Sequence, residues 1–128
     1  MVATPEVSSI RDADRVVGLL AQQDIPTRLI VNRISQHLVK KGDMLSQADV
    51  IEILALEMLG AVPLDEHVVA STNKGMPAVL EGKSMAAREF IRIAKRLAGL
   101  EVEAVRETGG GFFARLSRAL GLSPANAA

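Results

Sequence analysis

Three short polar segments are where this chain could do chemistry: Thr4-Pro5-Glu6, Asn32-Arg33 and Pro63-Leu64-Asp65-Glu66. Each follows apolar residues that read as the end of a strand. Together they offer hydroxyl, carboxylate, amide and guanidinium groups, which suits recognition of a polar ligand. The same residue types also serve as ordinary turns and caps. No nucleophile has a defensible base beside it, and there is no G-x-S-x-G. The absence of Cys excludes disulfides and thiolate chemistry. His37 and His67 have no local partner at metal-ligand spacing. Phosphate-cradling motifs of the G-x-x-x-x-G-K-[ST] and G-x-G-x-x-G types are missing. The run Gly109-Gly110-Gly111 is no substitute, since no strand precedes it and no Lys-Ser/Thr follows.

The other informative segment lies after that glycine run. Two of the three Phe in the chain are adjacent there. At about 100° per residue, Phe112, Phe113, Leu116, Ala119 and Leu120 fall on one arc of a helix, with Arg115 and Arg118 to one side. An apolar stripe flanked by Arg and tethered by glycines suits a helix lying on a membrane surface. The same stripe also suits packing against its own domain, the common fate of an amphipathic helix.

Elements must position these groups. The chain has 128 residues, enough for one domain, and is 48% hydrophobic, which excludes a disordered chain. Fifteen basic residues balance fifteen acidic ones, so bulk attraction to nucleic acid is not expected. No apolar run reaches the roughly 18 residues that span a bilayer. Residues 1–10 lack the apolar core of a signal peptide. The expectation is a cytosolic protein whose membrane contact is peripheral.

Val2-Ala3 reads as the end of a buried strand. A helix follows from Thr4-Pro5-Glu6 to about Gln22, with Pro in its first position and a core face of Ile10, Ala13, Val17 and Leu20. Ser9 and Asp12 offer a second cap box. Arg28–Val31 and Met58–Val62 are short apolar strands. Ile34–Gly42 is undecided, with Gly42 ending any helical turn. Ser46–Glu57 is a helix opened by Ser46 with Asp49 three residues on. Asp65–Thr72 is a short helix, and a loop containing Pro77 follows. Ser84–Leu97 is the last core helix, with Met85, Phe90, Ile91, Ala94 and Leu97 inward. Apolar strands joined by helices predict a parallel sheet. The fold class is α/β: one half of a doubly wound domain over 1–100, a linker over 101–111 and an amphipathic helix over 112–122.

Thr4–Arg15, Leu29-Ile30-Val31-Asn32-Arg33, Lys41-Gly42-Asp43-Met44-Leu45-Ser46, Gly60-Ala61-Val62-Pro63 and Ser71-Thr72-Asn73-Lys74-Gly75 occur in this order, with Gly111–Leu116 at the end. In these residues the chain resembles the C-terminal half of the MinD family, deviant P-loop ATPases that place the bacterial division septum. The resemblance implies ATP and Mg²⁺ as cofactors and a homodimer with nucleotide between subunits. It also implies MinC and MinE as partners, and reversible attachment to the anionic cytoplasmic face of the inner membrane. By the same resemblance, Asn32 and Arg33 with Pro63, Leu64 and Asp65 would hold the adenine. Glu6, Asp12 and Asp14 would lie on the helix facing the second subunit and the partners. Phe112, Phe113, Leu116 and Leu120 would enter lipid, with Arg115 and Arg118 at the headgroups.

The sequence departs from the family in lacking its N-terminal half, which carries the P-loop lysines, the switches and the Mg²⁺-binding Asp. Those groups do nearly all the work of phosphoryl transfer. The expectation is therefore a fragment, inactive as an ATPase by itself. The rival expectation is a non-catalytic module that binds membrane and titrates Min proteins. Met76 also stands where the family usually has an acidic residue. The tail has two Arg and no Lys, so at about 1 kcal/mol per cation its electrostatic hold on a membrane is weak.

Overall fold

A computed structural model of the chain describes residues 1–82 and 84–100. The linker over 101–111 and the tail residues Phe112, Phe113, Arg115, Leu116, Arg118 and Leu120 lie outside the described residues. The elements in chain order are β1 (Val2–Ala3), α1 (Val7–Ala21), β2 (Arg28–Ile34), α2 (Gln36–Lys41), α3 (Gln47–Leu54), β3 (Glu57–Pro63), α4 (Glu66–Asn73), α5 (Ala78–Glu81) and α6 (Met85–Leu97). The three strands form a parallel sheet in the order β1-β2-β3, as the alternation of strands and helices predicts.

Side chains alternate across a strand, so β2 feeds two cores at once. Leu29, Val31 and Ile34 pack with Ala3, with Ile10 and Ala13 of α1, and with Val50 and Leu54 of α3. On the other face Ile30 packs with Val62 and with Ala86 and Ile93 of α6. One face of the sheet is thus covered by α1 and α3, the other by α6.

Several local expectations need correction. Pro5 is buried but precedes the helix. Glu6 occupies the N-cap position of α1 without a side-chain cap bond. Ser9 lies inside α1, where its hydroxyl accepts from the Thr4 amide at 3.0 Å rather than capping a second start. Val17 and Leu20 are only half-buried, because α1 meets α3 and the sheet through its first half. The undecided stretch resolves into the end of β2 and α2. Ser35 accepts the Leu38 amide, and Gly42 closes the helix at φ +83°, where a side chain would be strained. The Ser46–Asp49 box is present in both directions, at 2.8 and 3.1 Å. Its helix nevertheless stops at Leu54, with Ala55 left-handed at φ 50°, and Glu57 already belongs to β3. The Pro77 loop contains a single short helix, α5.

The largest correction concerns α6. Its buried residues are Ala86, Ala87 and Ile93, whereas Met85 is 67% and Leu97 56% exposed, and Phe90 and Ile91 are also exposed. Ala94 is exposed as well. The reason is close approach. A Cβ on Gly60 of β3 would lie 2.7 Å from Cγ1 of Ile93. The helix sits so near the strand that small residues must line the contact, and the bulky ones are turned to the flanks.

Candidate functional site

Because the strands are parallel, the three polar segments do share one rim, beyond the carboxyl ends of the strands. Two of them are joined directly. Ile34 is the register partner of Pro63, and the Leu64 amide donates to the Ile34 carbonyl at 2.9 Å. Asn32, Arg33, Pro63, Leu64 and Asp65 therefore form one continuous ledge on adjacent strand ends. Residues Thr4–Glu6 lie at the end of β1. There the Leu45 amide donates to the Pro5 carbonyl at 3.3 Å and ties the loop between α2 and α3 to that strand end.

The ledge is irregular at its centre. The ladder between β2 and β3 shifts register between Val31 and Ile34, and Arg33 has a left-handed backbone at φ 61°. That conformation costs a non-glycine residue about 1–2 kcal/mol. It interrupts the strand alternation at Asn32 and Arg33. Asn32 is half-buried, Arg33 exposed, Pro63 half-buried and Leu64 exposed. The ledge thus combines a half-buried Asn32 on one strand end with Pro63 and Leu64 on the adjoining one.

Asp65 has a structural duty that its place in the sequence only half discloses. One carboxylate oxygen accepts the His67 amide at 2.9 Å and caps α4. The other accepts the Ala86 amide at 3.3 Å, twenty-one residues away in the first turn of α6. Desolvation pushes the Asp65 carboxyl up. The His67 and Ala86 amides, the Ser84 hydroxyl and the His67 charge outweigh it and hold the group below its usual value. Asp65 thus locks the ledge to α6. Ser84 caps the same helix by accepting the Ala87 amide at 2.9 Å. At the far end Arg96 donates to the Leu59 carbonyl of β3. The Ser84 cap is readable locally; the links from Asp65 to Ala86 and from Arg96 to Leu59 have no local signal.

No glycine-rich strand-to-helix turn with a following Lys is present among the described residues, and no group of three His, Cys, Asp or Glu among them could hold a metal ion. No helix of the described residues is long and apolar enough to cross a membrane.

The acidic residues assigned to α1 do not converge. Glu6 sits at the helix start and accepts from the Thr4 hydroxyl. Asp12 and Asp14 are both exposed but about 200° apart around the axis. Asp12 faces Arg15 at 3.9 Å, an exposed pair of little energetic weight. They present charge on two flanks of α1 rather than one cluster.

No protein-family model matches the chain. Sequence comparison finds the septum site-determining protein MinD of Bacillus subtilis, 36% identical over 126 residues, covering 95% of this chain and 47% of that protein. The MinD protein of Helicobacter pylori is 40% identical over 125 residues, covering 91% and 46%. Among solved structures, the MinD cell division protein of Aquifex aeolicus superposes with a TM-score of 0.75 at 46% identity, over 82% of this chain and 45% of that one. A MinC:MinD cell division complex from the same organism gives 0.76, also at 46% identity, covering 82% and 44%. The Pyrococcus horikoshii MinD bound to Mg-ADP, at 22% identity and a TM-score of 0.63, shares the fold, covering 80% of this chain and 44% of that one. The chain spans less than half the length of these relatives. Over most of its length it is homologous to the C-terminal part of the MinD septum site-determining proteins, and its fold is the corresponding part of their parallel-sheet P-loop domain.

Proposed function

We propose that this chain serves bacterial division-site selection as a MinD-type protein, holding the base of ATP on the ledge formed by Asn32, Arg33, Pro63, Leu64 and Asp65. The observation that carries this reading is the direct joining of the two strand ends through the Leu64 amide and the Ile34 carbonyl. The exposed flanks of α1, with Glu6, Asp12 and Asp14, face a second subunit and MinC- and MinE-like partners. The MinC:MinD complex of Aquifex aeolicus supports a MinC-type partner. The segment 112–122 attaches the protein peripherally to the anionic cytoplasmic face of the inner membrane, through Phe112, Phe113, Leu116 and Leu120 with Arg115 and Arg118.

These 128 residues bind no phosphate or Mg²⁺ and do not hydrolyse ATP by themselves. Measurable Mg²⁺-dependent hydrolysis by the purified chain would overturn that statement. Base binding is tested by titrating adenosine against Asn32→Ala: equal affinity in both proteins removes the ledge from the reading. Because α1 is fully formed and outward-facing, a second reading follows: the chain titrates Min partners without catalysis. Overproduction would then disturb septum placement, and reversing the charges of Asp12 and Asp14 would abolish the effect.

A further inference from the structure

We propose that the outer face of α6 is a second membrane contact, a cationic platform for anionic phospholipid headgroups that acts beside the C-terminal tail. The helix carries four basic residues, Arg88, Arg92, Lys95 and Arg96, against one acidic residue, Glu89. Arg96 is spent on the Leu59 carbonyl, and Arg92 pairs with Glu89. Arg88 and Lys95 are exposed and have no ion-pair partner among the described residues. At about 100° per residue, Arg88, Arg92 and Lys95 fall within about 60° of one another, opposite Ala86 and Ile93. They therefore stand farthest from the sheet. Exposed Met85 and Ile91 flank them, each within about 60° of the nearest cation around the axis. Cations next to an exposed apolar flank are the composition of helices that lie on lipid surfaces.

Two further observations select a bilayer as the occupant. On the opposite face of the sheet, α1 sets Arg11 and Arg15 beside Asp12 and Asp14 and so carries no net charge, whereas α6 carries four basic residues against one acidic one. The described chain also ends at Leu100, only three residues beyond α6, and eleven residues separate it from Phe112. Fully extended, that connection spans no more than about 40 Å, so a bilayer holding the tail is within reach of α6. The tail has only two Arg, and α6 supplies the cations it lacks. This inference rests on the tail reading, and its test separates the two.

The full chain is sedimented with vesicles of pure phosphatidylcholine and with vesicles containing about one third phosphatidylglycerol. Arg88→Gln/Lys95→Gln should lower affinity for the anionic vesicles about thirtyfold, the effect expected of two juxtamembrane cations. Arg88→Lys/Lys95→Arg should bind like the parent, and so should Arg11→Gln/Arg15→Gln. Loss with Phe113→Glu but not with Arg88→Gln/Lys95→Gln overturns the α6 contact and leaves the tail standing. Loss with Arg88→Gln/Lys95→Gln alone leaves the α6 contact and removes the tail. An equal loss with Arg11→Gln/Arg15→Gln means that bulk charge is being read, and overturns the proposal. So does unchanged vesicle binding accompanied by lost self-association, which would assign the face to a second copy of the chain.

Discussion

The two faces of the sheet are built by different means. On one, α1 and α3 cover β2 with interlocking aliphatic side chains: Ile10, Val50 and Leu54 meet Leu29, Val31 and Ile34. On the other, α6 approaches so closely that Ile93 lies directly over Gly60, with Ala86 beside Ile30 and Val62. The first face is held by volume and the second by proximity and polar ties, from Asp65 at the start of α6 and Arg96 at its end. Proximity leaves Arg88, Arg92 and Lys95 of α6 on the outer side, and these constitute the proposed membrane platform. The face with the larger aliphatic cluster thus lies opposite the one proposed to meet a surface.

The comparison can be broken by mutation. Leu29→Ala opens a cavity in the two-helix face and should cost about 2–5 kcal/mol in chemical denaturation. A loss below 1 kcal/mol would mean that this face is not held by volume. Gly60→Ala forces Ile93 away and should cost about 1–3 kcal/mol by overpacking. Combined with Ile93→Ala, which is itself destabilising, the total loss should be smaller than the sum of the two, and strictly additive effects in the double-mutant cycle would argue against the contact.

Asp65→Asn keeps an acceptor for one helix start but loses the charge and the second acceptor. It should cost about 1 kcal/mol at neutral pH. Because the folded carboxyl is held below its usual value, its contribution is complete above the ordinary carboxylate range and is lost as pH falls through the folded value. The gap between parent and variant should therefore close on acidification; a gap independent of pH would sink the linkage. The smallest effect is expected at Ala55→Gly. It relieves the left-handed end of α3 and should raise stability by up to about 1 kcal/mol, read as an increase in Tm.

Much of the fold is legible in the chain. Ser46 with Asp49, Gly42 after Lys40-Lys41, and the apolar runs at Leu29–Val31 and Met58–Val62 state their structures locally. The end of β2 was obscured because Arg33 breaks the alternation of the strand. The inner face of α6 is not legible in the sequence, because hydrophobicity names the residues able to be buried, not those that a neighbouring Gly60 leaves room for. Of the candidate ledge, Asn32, Arg33 and Pro63–Asp65 stand out as strand-end residues. That two of these segments touch, and that Asp65 also holds α6, follows only from the packed sheet.

The sequence by itself determined the parallel α/β class, the cap that starts α3, the absence of phosphate-cradling motifs from these residues, and the relation to MinD. These are local or compositional properties. Tertiary structure decided which face of α6 is hidden, which carboxylate joins two helices, and where unneutralised positive charge gathers. Those depend on contacts such as Asp65 with Ala86 and Gly60 with Ile93, between residues twenty or more positions apart, whose mutual distance no local pattern encodes.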